Sequence, residues 1–145
     1  MKRILSALLA LAVLAALVIV AATSKHGVRA IYAQNGCTDA TLTGSYGLVF
    51  GGFSVEQSGP VPFDGEGLFV FDGAGNLSGV ANASQNGGPF QFNYTAKYKV
   101  NSNCTGDAVS TNGNDNFAFV IVGGGAEILG TDISSNTLNL DFKKE

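Results

Sequence analysis

Gly65-Glu-Gly-Leu-Phe-Val-Phe-Asp-Gly-Ala-Gly-Asn-Leu-Ser-Gly-Val80 decides the fold. Two apolar runs, Leu68 to Phe71 and Leu77 to Val80, face each other across Asp72-Gly73-Ala74-Gly75-Asn76. A short loop holding two glycines between such runs predicts a β-hairpin, because glycine supplies the positive φ that a tight reversal requires. Its arms are expected at roughly Phe63 to Asp72 and Leu77 to Gln85.

The same grammar recurs on both sides. Upstream, Tyr46, Leu48 and Phe50 alternate with Gly47, Val49 and Gly51, a period of two that only a strand satisfies. Gly59-Pro60-Val61-Pro62 interrupts regular pairing, so its prolines are expected on an edge or at the start of a strand. Downstream, Asn86-Gly87-Gly88-Pro89 is a second reversal. Phe90, Phe92, Tyr94, Ala96, Tyr98 and Val100 then alternate with Gln91, Asn93, Thr95, Lys97 and Lys99, which predicts a strand with one dry and one wet face. Short strands follow at Asp107 to Thr111, Phe117 to Val122, Ala126 to Asp132 and Thr137 to Phe142. The runs Leu68 to Phe71 and Phe117 to Val122 are continuously apolar, so both of their faces are expected to be covered. Eight strands joined by short turns predict an all-β fold, an antiparallel up-and-down barrel. A two-sheet β-sandwich is the alternative, since strand count does not determine closure.

Ahead of the strands, Met1-Lys2-Arg3 and the 19-residue apolar run Ile4 to Ala22 read as a signal peptide. Cleavage is expected after Ala22 or after Ala33, which makes residues 1–33 a signal segment and flank and residues 34–145 a single barrel domain. The run is also close to the length that spans a bilayer, so an uncleaved N-terminal anchoring helix is the alternative. A secreted or periplasmic location follows. A mature chain that starts at Gln34 keeps four basic residues against all 11 acidic ones, a net charge of −7. That balance argues against nucleic acid and against an anionic membrane surface. In an oxidising compartment Cys37 and Cys104 are expected to form a disulfide.

Catalytic arrangements fail on inspection. The only histidine, His26, lies in the signal flank, so neither a serine nor a cysteine nucleophile has a base. Glu56, Asp64, Glu66 and Asp72 are expected to be solvated acids beside turns, and a hydrolytic carboxylate pair is the minor reading. Asp72 to Asn76 lacks the regularly spaced oxygens of a calcium loop, and Asn112 to Asn116 reads as an asparagine-rich turn. No metal or cofactor is expected, and the chain leans away from being an enzyme. What remains is aromatic: Tyr46, Phe50, Phe92, Tyr94, Tyr98, Phe117 and Phe119 fall on faces that could share one interior. They are expected either to pack as a core or to line the lumen of a noncatalytic barrel binding a small hydrophobic molecule. The alternatives are a structural or surface-interaction module, a homo-oligomer joined through its two-sided apolar strands, and a cyclase- or isomerase-like barrel with Glu66 or Glu127 inside.

Gly44-Ser45-Tyr46-Gly47, the Asp72 to Asn76 turn and Tyr98-Lys-Val-Asn-Ser-Asn-Cys-Thr-Gly106 together resemble a group of uncharacterised secreted bacterial β-barrel proteins. The resemblance spans about Cys37 to Phe119 and rests on turn and disulfide motifs. It implies a barrel distantly similar to the allene oxide cyclase and lipocalin types, hence apolar ligands. The Gly-x-Trp mark of true lipocalins is absent, because the chain has no tryptophan.

Overall fold

A computed structural model describes residues 36–145; the expected signal segment, its cleavage points and the alternative anchor lie outside the described residues. Eight antiparallel strands close into a barrel in sequence order: β1 (Thr43–Glu56), β2 (Gly59–Asp72), β3 (Asn76–Gln85), β4 (Gly88–Val100), β5 (Thr105–Ser110), β6 (Asn116–Val122), β7 (Glu127–Asp132) and β8 (Thr137–Lys144). Pairing of β1 with β8, from Tyr46 opposite Lys144 to Phe53 opposite Thr137, completes the circle and excludes the sandwich. Among the described residues no helix is long and apolar enough to cross a membrane.

Local chemistry sets the turns. Asn86 and Gly87, with φ of 49° and 82°, form the two-residue Asn-Gly reversal between β3 and β4. Asp72 caps the hairpin before β3 by accepting the Ala74 and Asn76 amides on one oxygen, each at 2.8 Å. Its other oxygen takes the Asn76 side chain, and Lys97, directly across from Asn76, donates to that asparagine. These bonds hold the Asp72 carboxyl below its usual range, the Asn76 side chain contributing most. Pro60 and Pro62 stand opposite Val55 and Phe53 of β1, where β2 has run past the last pair with β3, and the Pro62 carbonyl accepts the Asn86 amide at 2.8 Å.

Inward positions alternate large rings with glycine. A side chain on Gly65 would meet the Phe50 ring at 2.6 Å, one on Gly79 the Phe69 ring at 2.4 Å, and one on Gly106 the Phe119 ring at 2.4 Å. Each glycine thus makes room for a neighbouring aromatic, which lets eight strands enclose large rings. The deeper rings form one network around Phe142, which lies 5.7 to 5.8 Å from Phe69, Phe71 and Phe117, while Phe50, Phe63, Phe90 and Phe92 form a second group.

The two ends of the barrel differ. At one end residues 36–42 lie across the opening. The Cys37–Cys104 disulfide fastens this segment, with its Cα atoms 5.0 Å apart. The Tyr98 hydroxyl lies 3.0 Å from the carbonyls of both Asp39 and Leu42, and the Asp39 carboxylate accepts the Val100 amide at 2.7 Å. Leu42 is wholly buried in this plug. At the other end β1, β2 and β4 run 13 or 14 residues and overhang β5 to β8, which are 6 to 8 long. Burial along β4 records the difference, from exposed Phe90 through half-buried Phe92 and Tyr94 to buried Ala96, Tyr98 and Val100.

Within the single chain no loop of the described residues covers the second face of Leu68 to Phe71 or of Phe117 to Val122. Phe69, Phe71, Phe117 and Phe119 are buried inside, but Leu68, Val70 and Val120 stand 49%, 44% and 44% exposed on the outer face. In a closed barrel the second face of every strand looks outward, which is why these aliphatic side chains are exposed in the single chain.

Candidate functional site

The open end leads into a cavity of about 360 Å³. Its aromatic wall comes from the overhanging strands: Phe50 on β1, Phe63 on β2, and Phe90 and Phe92 on β4. Phe63 and Phe90 stack with ring centroids 6.1 Å apart, while Phe50 meets Phe63 edge-on at 5.2 Å. Phe69, Tyr94, Phe117 and Phe142 lie deeper. The opposite rim is polar. Asn112 and Asp115 come from the loop between β5 and β6, Asp132 ends β7, and Asn136 precedes β8.

Hydrogen bonds fix this rim. The Tyr94 hydroxyl donates to the Asp115 backbone carbonyl at 2.8 Å, and the Asp115 amide donates to the Ser110 hydroxyl at 3.1 Å. The main chain of Asp115 is therefore anchored, while its carboxylate accepts no hydrogen bond from the described residues. One oxygen of Asp132 accepts the amide and the hydroxyl of Ser134 at 2.8 and 2.7 Å. Burial and then the neighbouring Asp132 charge push the Asp115 carboxyl up from its ordinary value. Burial, reinforced by Asp115 and Asp132, also pushes the Tyr94 phenol well up, so it stays a neutral donor across the physiological range.

Of the seven residues expected in the lumen, Phe50, Phe92, Tyr94 and Phe117 line the cavity. Tyr46, Tyr98 and Phe119 point inward but into the packed, plugged half of the barrel. Tyr46 donates to Gly125, Tyr98 serves the plug, and Phe119 covers Gly106. Cys37 and Cys104 are joined as the sequence implied. Glu66 and Glu127 are on the outer face: Glu66 pairs with Val49, and Glu127 lies 3.7 Å from Lys143. Among the described residues no group of three or more His, Cys, Asp or Glu is placed to hold a metal.

Sequence reasoning missed Asp115 and Asp132. Asp115 sits in an asparagine-rich turn, which reads as solvated. Asp132 was legible in principle. Ile128 is buried, so the two-residue period carries the inward face through Gly130 to Asp132, whose cross-strand partner is the inward Phe117. Comparison with protein-family models, curated proteins and solved structures found no match for the chain.

Proposed function

We propose that this protein is an exported, noncatalytic β-barrel that holds one small hydrophobic molecule in its open-ended cavity. The observation that carries the reading is the asymmetry of the barrel: one end is plugged and stapled, while the other opens on an aromatic wall around about 360 Å³. Eight-stranded barrels are wide enough to be filled by side chains or to hold one small ligand, and here the filling is complete only on the plugged side. A volume at the lower end of the ligand-pocket range suits a molecule of modest size. The charged leader of the sequence and the Cys37–Cys104 bridge support export to an oxidising compartment. The outward positions of Glu66 and Glu127 count against the cyclase or isomerase alternative.

Titration with phenylnaphthylamine, a neutral dye that brightens in apolar surroundings, tests the reading. Saturable binding at one site per chain is expected. Fluorescence that rises only linearly up to the solubility limit of the dye would overturn it.

One observation favours a second reading, a self-associating module. On the outer face Leu68 stands directly opposite Val80, with Val70 two residues along, and all three are more than 40% exposed. Light scattering across a wide concentration range decides it, and a strictly monomeric profile removes it.

A further inference from the structure

The cavity is chemically lopsided. Its ionisable lining is two carboxylates, Asp115 and Asp132, together with the neutral phenol of Tyr94, and it includes no Lys, Arg or His. The rest of the barrel exaggerates the asymmetry. All four cations among the described residues lie toward the plugged end: Lys97 and Lys99 near the end of β4, and Lys143 and Lys144 at the end of β8. Each is also occupied or remote. Lys97 bonds Asn76, Lys143 sits 3.1 Å from Asp141, and Lys144 lies 5.8 Å from the centre of the Tyr46 ring. Lys99 is opposite Asp107 across the β4–β5 ladder. At the open end Glu56 and Asp64 add to the two rim acids, and no cation answers them.

Resting on the reading of the cavity as a binding site, we propose that it selects organic cations, amines with an apolar body, over neutral analogues and against fatty-acid-like anions. The field of the open end concentrates cations and repels anions. Inside, the apolar body meets Phe50, Phe63, Phe90 and Phe92 while the ammonium reaches the opposite rim. Asp115 offers a carboxylate that no described residue has claimed. Asp132 is oriented by Ser134 through one oxygen, which leaves the other for a ligand. Aromatic faces next to the ammonium add to the attraction, since the negative quadrupole of a ring favours a nearby cation. An anionic head in the same place would sit beside two like charges with no donor but side-chain amides and hydroxyls.

Three ligands with one body and different heads test this: phenylbutylamine, phenylbutanol and phenylbutyrate, each competed against bound phenylnaphthylamine at neutral pH on the purified protein. The amine is expected to bind at least about tenfold more tightly than the carboxylate, the factor that one charge-assisted hydrogen bond supplies. In the double substitution Asp115→Asn with Asp132→Asn the ratio is expected to fall to about one. On acidification the wild-type ratio is expected to decline as Asp115, whose carboxyl burial and the Asp132 charge push up, takes up its proton, Tyr94 being neutral throughout. A wild-type ratio at or below one, with the dye and the alcohol still bound, overturns the cation preference and leaves the apolar site standing. Failure of the dye and all three ligands to bind removes the site and this inference with it.

Discussion

The Tyr46 hydroxyl donates a 2.6 Å hydrogen bond to the carbonyl of Gly125, 79 positions along the chain, and so ties β1 to the glycine-rich loop between β6 and β7. Gly125 has a φ of +96°, and a side chain on it would meet the Thr41 carbonyl at 2.5 Å. Loop, plug and first strand therefore meet at one buried point. Tyr46→Phe keeps the ring, which contacts Phe71 edge-on at 5.1 Å, and leaves the carbonyl without its donor. The expected loss is about 1–3 kcal/mol, the cost of an unsatisfied buried acceptor, seen as a lower urea midpoint with an unchanged slope.

How far the sequence could be read depended on whether a feature was local. The alternation from Phe90 to Val100 is a property of one strand, and every inward and outward assignment in it holds. The Asp72 and Asn86 turns are equally local. Closure is not, because it requires β8 to find β1, and nothing in Thr137 to Lys144 names its partner. The same gap explains the covered faces expected for Leu68 to Phe71: apolar residues on consecutive positions look alike whether a second layer or only water lies outside. At the site, the ring wall was legible from periodicity, whereas which rings line space and which fill it depends on the plug, assembled from residues far apart in sequence.

The disulfide closes a separation of 67 residues, for which loop entropy gives about 4 kcal/mol. Replacing Cys37 and Cys104 together by serine is expected to lower the urea midpoint accordingly. Because the bridge holds the plugged end, dye affinity at the opposite end is expected to be kept in the fraction that remains folded. Loss of binding in a demonstrably folded variant would show that the two ends are coupled.

Gly79→Ala probes the pairing of glycine with ring. The added carbon would stand 2.4 Å from the Phe69 ring and 2.6 Å from the Leu68 carbonyl, and the second of these is backbone that cannot swing away. Overpacking of about 1–3 kcal/mol is expected. For a domain of this size that is a fall in melting temperature of roughly 4–8 °C per kcal/mol.

Asp115 yields a pH signature. Its carboxyl is raised above the ordinary value by burial and by Asp132, so the folded state holds this proton more tightly than the unfolded chain does. The associated stability is complete below the unfolded value and disappears as pH rises through the folded one. Asp115→Asn, neutral at every pH, is therefore expected to be more stable than wild type near neutrality and equal to it near about pH 3, where both states of the wild type are protonated. Urea midpoints at the two pH values check this. A variant less stable than wild type near neutrality would mean that the ionised carboxylate makes a favourable contact in the fold.

Phe90 separates binding from folding. It faces inward yet is 41% exposed, held mainly by its stack on Phe63 and by Phe92 at 5.9 Å. Water already reaches it, and the strand beneath it pairs with β3 regardless, so Phe90→Ala is expected to change stability by less than about 1 kcal/mol. Phe71→Ala, by contrast, removes a wholly buried ring from the centre of the network and is expected to lose about 3–5 kcal/mol. For a ligand the order reverses. Phe90 is part of the wall that a bound molecule would cover, and withdrawing that apolar surface is expected to weaken phenylnaphthylamine by about 3- to 10-fold. Phe71 lies outside the cavity lining, so whatever Phe71→Ala leaves folded should bind the dye nearly as before. If Phe90→Ala left dye affinity unchanged, binding would have to occur elsewhere, with the outer-face Leu68 and Val80 patch the next place to mutate.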